Sequence, residues 1–377
     1  MIKHPLKQDL LITAVLFLCC IALYFVPSPQ KLDMGSKSDA YAASVLEVDN
    51  RHLETHGLLQ FGNQNLKVKI LNGPQEGKIY QAANTVRAQM ELDKIFEPGD
   101  RILVLLQPGD EPDQAVIRAL DHDRSRWTIL LAVLFCLFLL IFGRWTGAKA
   151  LFSIFLSVMV IWKGVIPLVL KGYSASWIIF GCVCFLTAAI MFLVAGINKK
   201  GLASFLGAIA GVFSGLCMAH IFSWLMKING AVLPYSQALF YSGYEFLDLQ
   251  DLFTGAMILA SSGAVMDLGM DIASGVEEVA HHNPTLSRKE LTLSGIRIGR
   301  SVVGTMTTTL LLAYSGGYIT LLMMFAVQGN TLLEIINNPL VAAESVKTLI
   351  GSFSLVLVAP FTAIFAGILF QKKKENL

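Results

Sequence analysis

Apolar residues in this chain come in blocks of helix length separated by short polar segments, except for one stretch near the amino terminus where apolar and polar positions alternate. Blocks near 127–143, 150–170, 176–196, 202–226, 252–273, 302–326 and 348–370 each approach the ~20 residues that cross ~30 Å of hydrocarbon as a helix. An eighth block, Leu10 to Val26, follows a short basic start carrying Lys3 and Lys7. With no small-x-small cleavage site after it, it reads as an uncleaved signal anchor.

The alternating stretch runs from Asn50 to Arg124. Leu66-Lys-Val-Lys-Ile70 has the period of a strand, Asn72-Gly-Pro-Gln-Glu-Gly77 is a turn, and Lys78 to Gln81 is the returning strand. Phe96-Glu-Pro-Gly-Asp-Arg-Ile-Leu-Val104 places a turn before another strand, Pro108-Gly109-Asp110 closes it, and Gln114 to Leu120 is a further one. Short strands in this density predict a small β-barrel of the OB or SH3-like kind. No basic-aromatic groove accompanies them, so nucleic acid is not an expected partner, and the plain reading is an extracytoplasmic spacer. The expected organisation is an anchor helix over 1–27, a β-rich domain over 28–125 and a seven-helix transmembrane domain over 126–377.

Composition agrees with an α-helical polytopic membrane protein. Of 377 residues, 54% are hydrophobic and 15% charged, with mean hydropathy +0.61; a soluble domain carries roughly 25% charged residues. The net charge of +2 is less informative than its placement. Counting from a cytoplasmic amino terminus, each inner segment is basic: Lys3 and Lys7; Arg144 and Lys149; Lys199 and Lys200; Arg288, Lys289, Arg297 and Arg300; Lys372 to Lys374. The outer loops near Glu245, Asp248 and Asp251, and near Glu334 and Glu344, lean acidic. The positive-inside rule then puts both termini in the cytoplasm and residues 28–125 outside the cell membrane. All six cysteines lie in apolar runs and have no zinc spacing, which predicts packing thiols.

Asp251 to Glu278 is the stretch with chemistry. Asp267, Asp271, Ser274 and Glu278 fall on one helical face. Carboxylates at membrane depth are costly and mark a partner, a hydrated cavity or a task. With Leu252 at the outer boundary, a rise of ~1.5 Å per residue puts Asp267 ~22 Å in and Asp271 close to the inner edge. The next helix brings Thr305, Thr307, Thr308 and Thr309 to the level of Asp267, and Arg300 to the level of Asp271. Tyr314-Ser-Gly-Gly317 interrupts that helix near mid-membrane. Thr hydroxyls in helices also bond their own backbone, so satisfied packing is the alternative to a polar path. Lys163 reads as a snorkelling lysine and His220 as an interfacial histidine. Gly207, Gly211 and Gly215, at four-residue spacing, permit close helix contact within one chain or between two. No Walker loop, Ser-His-Asp order, HExxH or Rossmann glycines occur, so no enzyme activity, cofactor or metal is expected.

From Gly263 onward the chain carries Met266-Asp267, Ile272-Ala-Ser274, an acid at Glu277 or Glu278, Asn283-Pro284, Gly299-Arg300, and Gly304-Thr305-Met306 followed by Leu311-Leu-Ala-Tyr314. In these features it resembles the YibE/F-like family of bacterial multi-pass membrane proteins. Where members carry an amide between those last two elements, this chain has Thr307 to Thr309. The resemblance implies membrane location and no established activity. A fainter resemblance, to half of a resistance-nodulation-division transporter or to the Sec accessory proteins, implies proton transfer by the membrane acid. The expected function is a secondary, proton-coupled transporter or export component, with Asp267 as the protonatable group, Asp271 and Arg300 at the inner mouth, and Thr305, Thr308 and Ser274 along the path. The alternative is a non-transporting scaffold or sensor that presents the β-domain. Expected partners are the lipid bilayer and a small-molecule or ion substrate, with a homo-oligomer or partner membrane protein left open.

Overall fold

A computed structural model of the protein describes residues 5–25, 39–57, 59–89, 93–107 and 116–371. The chain divides into two units, Gln30–Phe142 and Met1–Pro29 with Gly143–Leu377.

The first unit holds a closed barrel of five strands, β1 (Asp39–His56), β2 (Leu59–Ile70), β3 (Ile79–Arg87), β4 (Arg101–Gln107) and β5 (Val116–His122). Their order around the barrel is β1-β2-β3-β5-β4, and the β3–β5 pair is parallel while the others are antiparallel. Alternation along β2 sends Leu66, Val68 and Ile70 inward and leaves Lys67 and Lys69 on the outer face. The expected strands at Leu66, Lys78 and Phe96–Val104 are present, and β1 is a strand that alternation did not reveal. Its register shifts twice, between Val45 and Glu47 and between Asp49 and His52; each bulge reverses which side chains face inward and erases the period. The turn before β4 works as its sequence implies. Phe96 plugs the core, the Glu97 amide donates to Asp100 at 2.9 Å, and Gly99 supplies a φ of +95°. Buried Gln64 clasps the same turn, accepting from the Phe96 amide at 3.1 Å and donating to its carbonyl at 2.9 Å. Pro108–Asp110, expected to close β4, lies outside the described residues.

Helices follow: α1 (Pro5–Tyr24), α2 (Ser125–Val160), α3 (Ile166–Leu170), α4 (Ala175–Ala195), α5 (Lys199–Leu225), α6 (Ser236–Tyr241), α7 (Leu249–His282), α8 (Arg288–Ser315), α9 (Ile319–Gln328), α10 (Leu332–Asn337) and α11 (Pro339–Phe370). A π-helical turn, Ile161–Val165, joins α2 to α3, and a 3₁₀ turn, Gly316–Tyr318, joins α8 to α9 at the expected glycine interruption. Six stretches among the described residues are long and apolar enough to cross a membrane. The longest, Ser125–Leu170, has 46 residues, roughly twice what one crossing needs. It is broken at Arg144, whose φ of 46° and ψ of −121° are not helical. Taken as two crossings it raises the six stretches to seven, and the apolar part of α1, Thr13–Tyr24, is shorter than these. The part of α2 before Arg144 is apolar throughout, with Phe142 94% exposed.

In lipid, close packing rather than transfer from water holds helices together, so contacts favour small residues. The glycine stripe of α5 shows this within one chain. A Cβ at Gly207 would strike Thr362 of α11, one at Gly211 would meet Val358, and one at Gly215 would strike Ser354. Gly295 and Gly299 of α8 lie against Ala363 and Ala359 of α11 in the same way. The cysteines are all free, and Cys20 and Cys182 are buried in the helical core.

Candidate functional site

α7 is the helix the others close around. Gly255 receives Ile179 of α4, Gly269 sits against the Ser204 carbonyl of α5, Ser261 meets Gly351 of α11, and Gly275 receives Ile298 of α8. Asp248 caps it, accepting from the amides of Gln250 and Asp251 at 2.9 and 3.1 Å. One stripe stays uncovered: Ala260, Gly263, Asp267, Asp271 and Glu278 are exposed, and Ser274 is half-buried beside them. The helical face expected from spacing is therefore a real face, and among the described residues of the helical unit nothing covers it.

α8 starts with a capping box. Ser287 and Glu290 each bond the other's amide, at 2.8 and 3.4 Å. Its contacts with α7 set the register, with Gly295 against Val276 and Gly299 against Ile272. Carried along antiparallel helices, this puts Arg300 level with Asp271 and Thr305 level with Asp267. The levels match, but no hydrogen bond or ion pair joins either pair among the described residues. The hydroxyls turn back on their own helix: Thr305 donates to Val302 O at 2.9 Å, Thr308 to Gly304 O at 3.0 Å and Thr309 to Thr305 O at 2.9 Å. Thr307 is different, its hydroxyl buried without a hydrogen-bond partner. Gly263 and Gly304 have open space where a Cβ would stand. Lower on α7, Glu277 pairs with Lys200 of α5 at 3.1 Å.

Two further polar groups were not legible in the sequence. At the start of α7, the Asp251 carboxylate accepts from the Ser174 hydroxyl at 2.8 Å and from the Ser176 amide at 3.2 Å. His220 lies beside it, with Nε2 3.4 Å from the Ser176 hydroxyl and 3.7 Å from Asp251, and Nδ1 3.0 Å from Leu216 O. In a hydrolytic triad acid and nucleophile meet opposite ring nitrogens; here both approach Nε2. The only forewarning was the Ser-Ala-Ser start of α4. The second group lies where α8 meets α11. Lys347 stands over the Tyr314 ring, 5.0 Å from its centroid, and 3.5 Å from Glu344. Lys163 falls inside the π-helical turn and is half-buried, and such turns often occur at functional sites. Among the described residues, no group of three or more His, Cys, Asp or Glu side chains could hold a metal ion.

Two sequence profiles match this chain. One, described as YibE/F-like protein, covers residues 131–372, and the other, described as YibE/F family N-terminal domain, covers residues 41–119. No curated protein and no solved structure matches it.

Proposed function

We propose that this chain, which belongs to the YibE/F-like family, is a secondary transporter or export component that works through the carboxylate of Asp267. One observation carries the reading. Asp267 is exposed on the uncovered stripe of a helix whose other faces are packed, and no ion pair or hydrogen bond reaches its carboxylate among the described residues. A scaffold that merely tolerated this residue would satisfy it, and the expected partners on α8, Thr305 and Thr308, donate instead to carbonyls of their own helix. A carboxylate left open at membrane depth suits a group reached by water that takes up and releases protons.

In this reading both termini are cytoplasmic, the barrel is outside the cell membrane, and Asp271 and Arg300 mark the inner mouth. Ser274 lies between Asp271 and the cytoplasm on the same face. The face of α8 that carries Thr305 and Thr308 lines the route.

The test is Asp267→Asn in cells that depend on the protein. Loss of function with normal membrane insertion supports the transporter. Wild-type behaviour, with loss on deletion of residues 50–124 alone, favours a scaffold or sensor presenting the barrel.

A further inference from the structure

A cavity of about 300 Å³ opens between the end of α8, the start of α9 and the first turns of α11. Leu311, Leu322, Val341 and Leu349 wall it, and Glu344 is its one charged lining residue. The Glu344 side chain is only 19% exposed, and its Oε2 is buried with no hydrogen-bond partner. Lys347 pairs with it only at long range, 3.5 Å from each carboxylate oxygen, against about 2.7–2.9 Å for a close charge-assisted bond, and it also lies over the Tyr314 ring. Tyr318, which lines the cavity, is a hydrogen-bonding neighbour of the same carboxylate. A carboxylate shielded from water with an open acceptor position is costly until a donor arrives.

We propose that this cavity binds an amphiphilic amine, whose protonated nitrogen donates to Glu344 while its apolar body fills the leucine-lined recess. A volume at the lower end of the usual ~300–1,000 Å³ for ligand pockets fits a one- or two-ring body. The wall offers no free cation to an anionic ligand, because Lys347 is engaged with Tyr314 and Glu344. The site is separate from Asp267. α7 and α11 run in parallel register, Ser261 meeting Gly351 while Ile272 and Ala359 both meet Gly299. Glu344 therefore lies roughly 15–20 Å along the helices from the level of Asp267. Binding here stands whether or not Asp267 moves protons.

The experiment is equilibrium dialysis of the full chain in lipid nanodiscs, with empty nanodiscs as blank. The probes are 1-naphthylmethylammonium and its neutral counterpart 1-naphthylmethanol. Saturable binding of the amine is expected, with roughly tenfold preference over the alcohol, and Glu344→Gln should erase that preference. Lys347→Met removes the competing cation and should tighten amine binding by at least about threefold. Equal binding of the two probes, partition no greater than the blank, or a preference that survives Glu344→Gln overturns the proposal. If Glu344→Gln does not insert, Lys347→Met decides, and amine binding that is unchanged or weaker in that variant overturns it.

Discussion

The Ser174 hydroxyl donates to the Asp251 carboxylate at 2.8 Å, so one bond ties the residue before α4 to the first turn of α7. The Ser176 amide adds a second at 3.2 Å, satisfying one of the orphan donors at the start of α4. Asp251→Ala should therefore destabilise the helical unit by about 1–3 kcal/mol, the cost of leaving the amide of buried Ser176 without its acceptor. Thermal unfolding in detergent reads this as a lowered midpoint, with Asp248→Ala, which removes a helix cap, as a milder comparison of about 1 kcal/mol. An unchanged midpoint for Asp251→Ala would show that water replaces the carboxylate without loss.

Gly207 of α5 faces Thr362 of α11 with no room for a side chain. A methyl group there would strike the backbone and side chain of Thr362. Gly207→Ala should cost about 1–3 kcal/mol by overpacking, whereas Gly263→Ala and Gly304→Ala, with open space at the new Cβ, should stay within about 0.5 kcal/mol. Midpoints measured side by side check the contrast, and equal losses at all three positions would contradict this packing.

The barrel carries its own pH dependence. The Ser125 hydroxyl donates to Asp123, the Ser125 amide adds a bond at 3.1 Å, and Arg101 pairs with it at 3.2 Å. Led by the Ser125 hydroxyl, these contacts outweigh burial and hold the Asp123 carboxyl below the usual carboxylate range. A depressed folded-state value means stability that is full above the unfolded value of about 4 and is lost as pH falls through the folded one. Hydrogen exchange in β4 and β5 of the intact protein should accelerate between about pH 5 and about pH 3 beyond the intrinsic chemistry. Asp123→Asn should reduce that dependence, leaving the share of Asp121, whose carboxyl is, against its burial, also held low by Lys94 and Arg124; an unchanged slope in the variant would assign the effect elsewhere.

These contacts explain which parts of the chain could be read in advance. Hydropathy located the helices, since a run of apolar residues is visible without knowing what it packs against. It placed the start of α8 near residue 302 because Arg288 to Arg300 are largely polar. The helix in fact begins at Arg288, capped by Ser287 and packed through Gly295 and Gly299. A capping box three residues wide was readable there; the partners of the two glycines, on α7 and α11, were not. The contacts of Gly295 with Val276 and Gly299 with Ile272 put Asp267 and Thr305 side by side in register, but a shared level says nothing about rotation or about which carbonyl a hydroxyl prefers. The Asp251 group and the Glu344–Lys347–Tyr314 group escaped notice because their members come from different helices and meet only once the bundle has folded.

The most direct measurement asks whether water reaches position 267. In a background with the six native cysteines replaced, Asp267→Cys and its buried neighbour Leu268→Cys would each be treated in intact membranes with a small charged thiosulfonate reagent. Modification of the cysteine at 267 but not at 268 is the predicted result, since only the first faces the uncovered stripe of α7. A cysteine at 267 that resists the charged reagent and reacts only with a lipid-soluble maleimide would contradict the account.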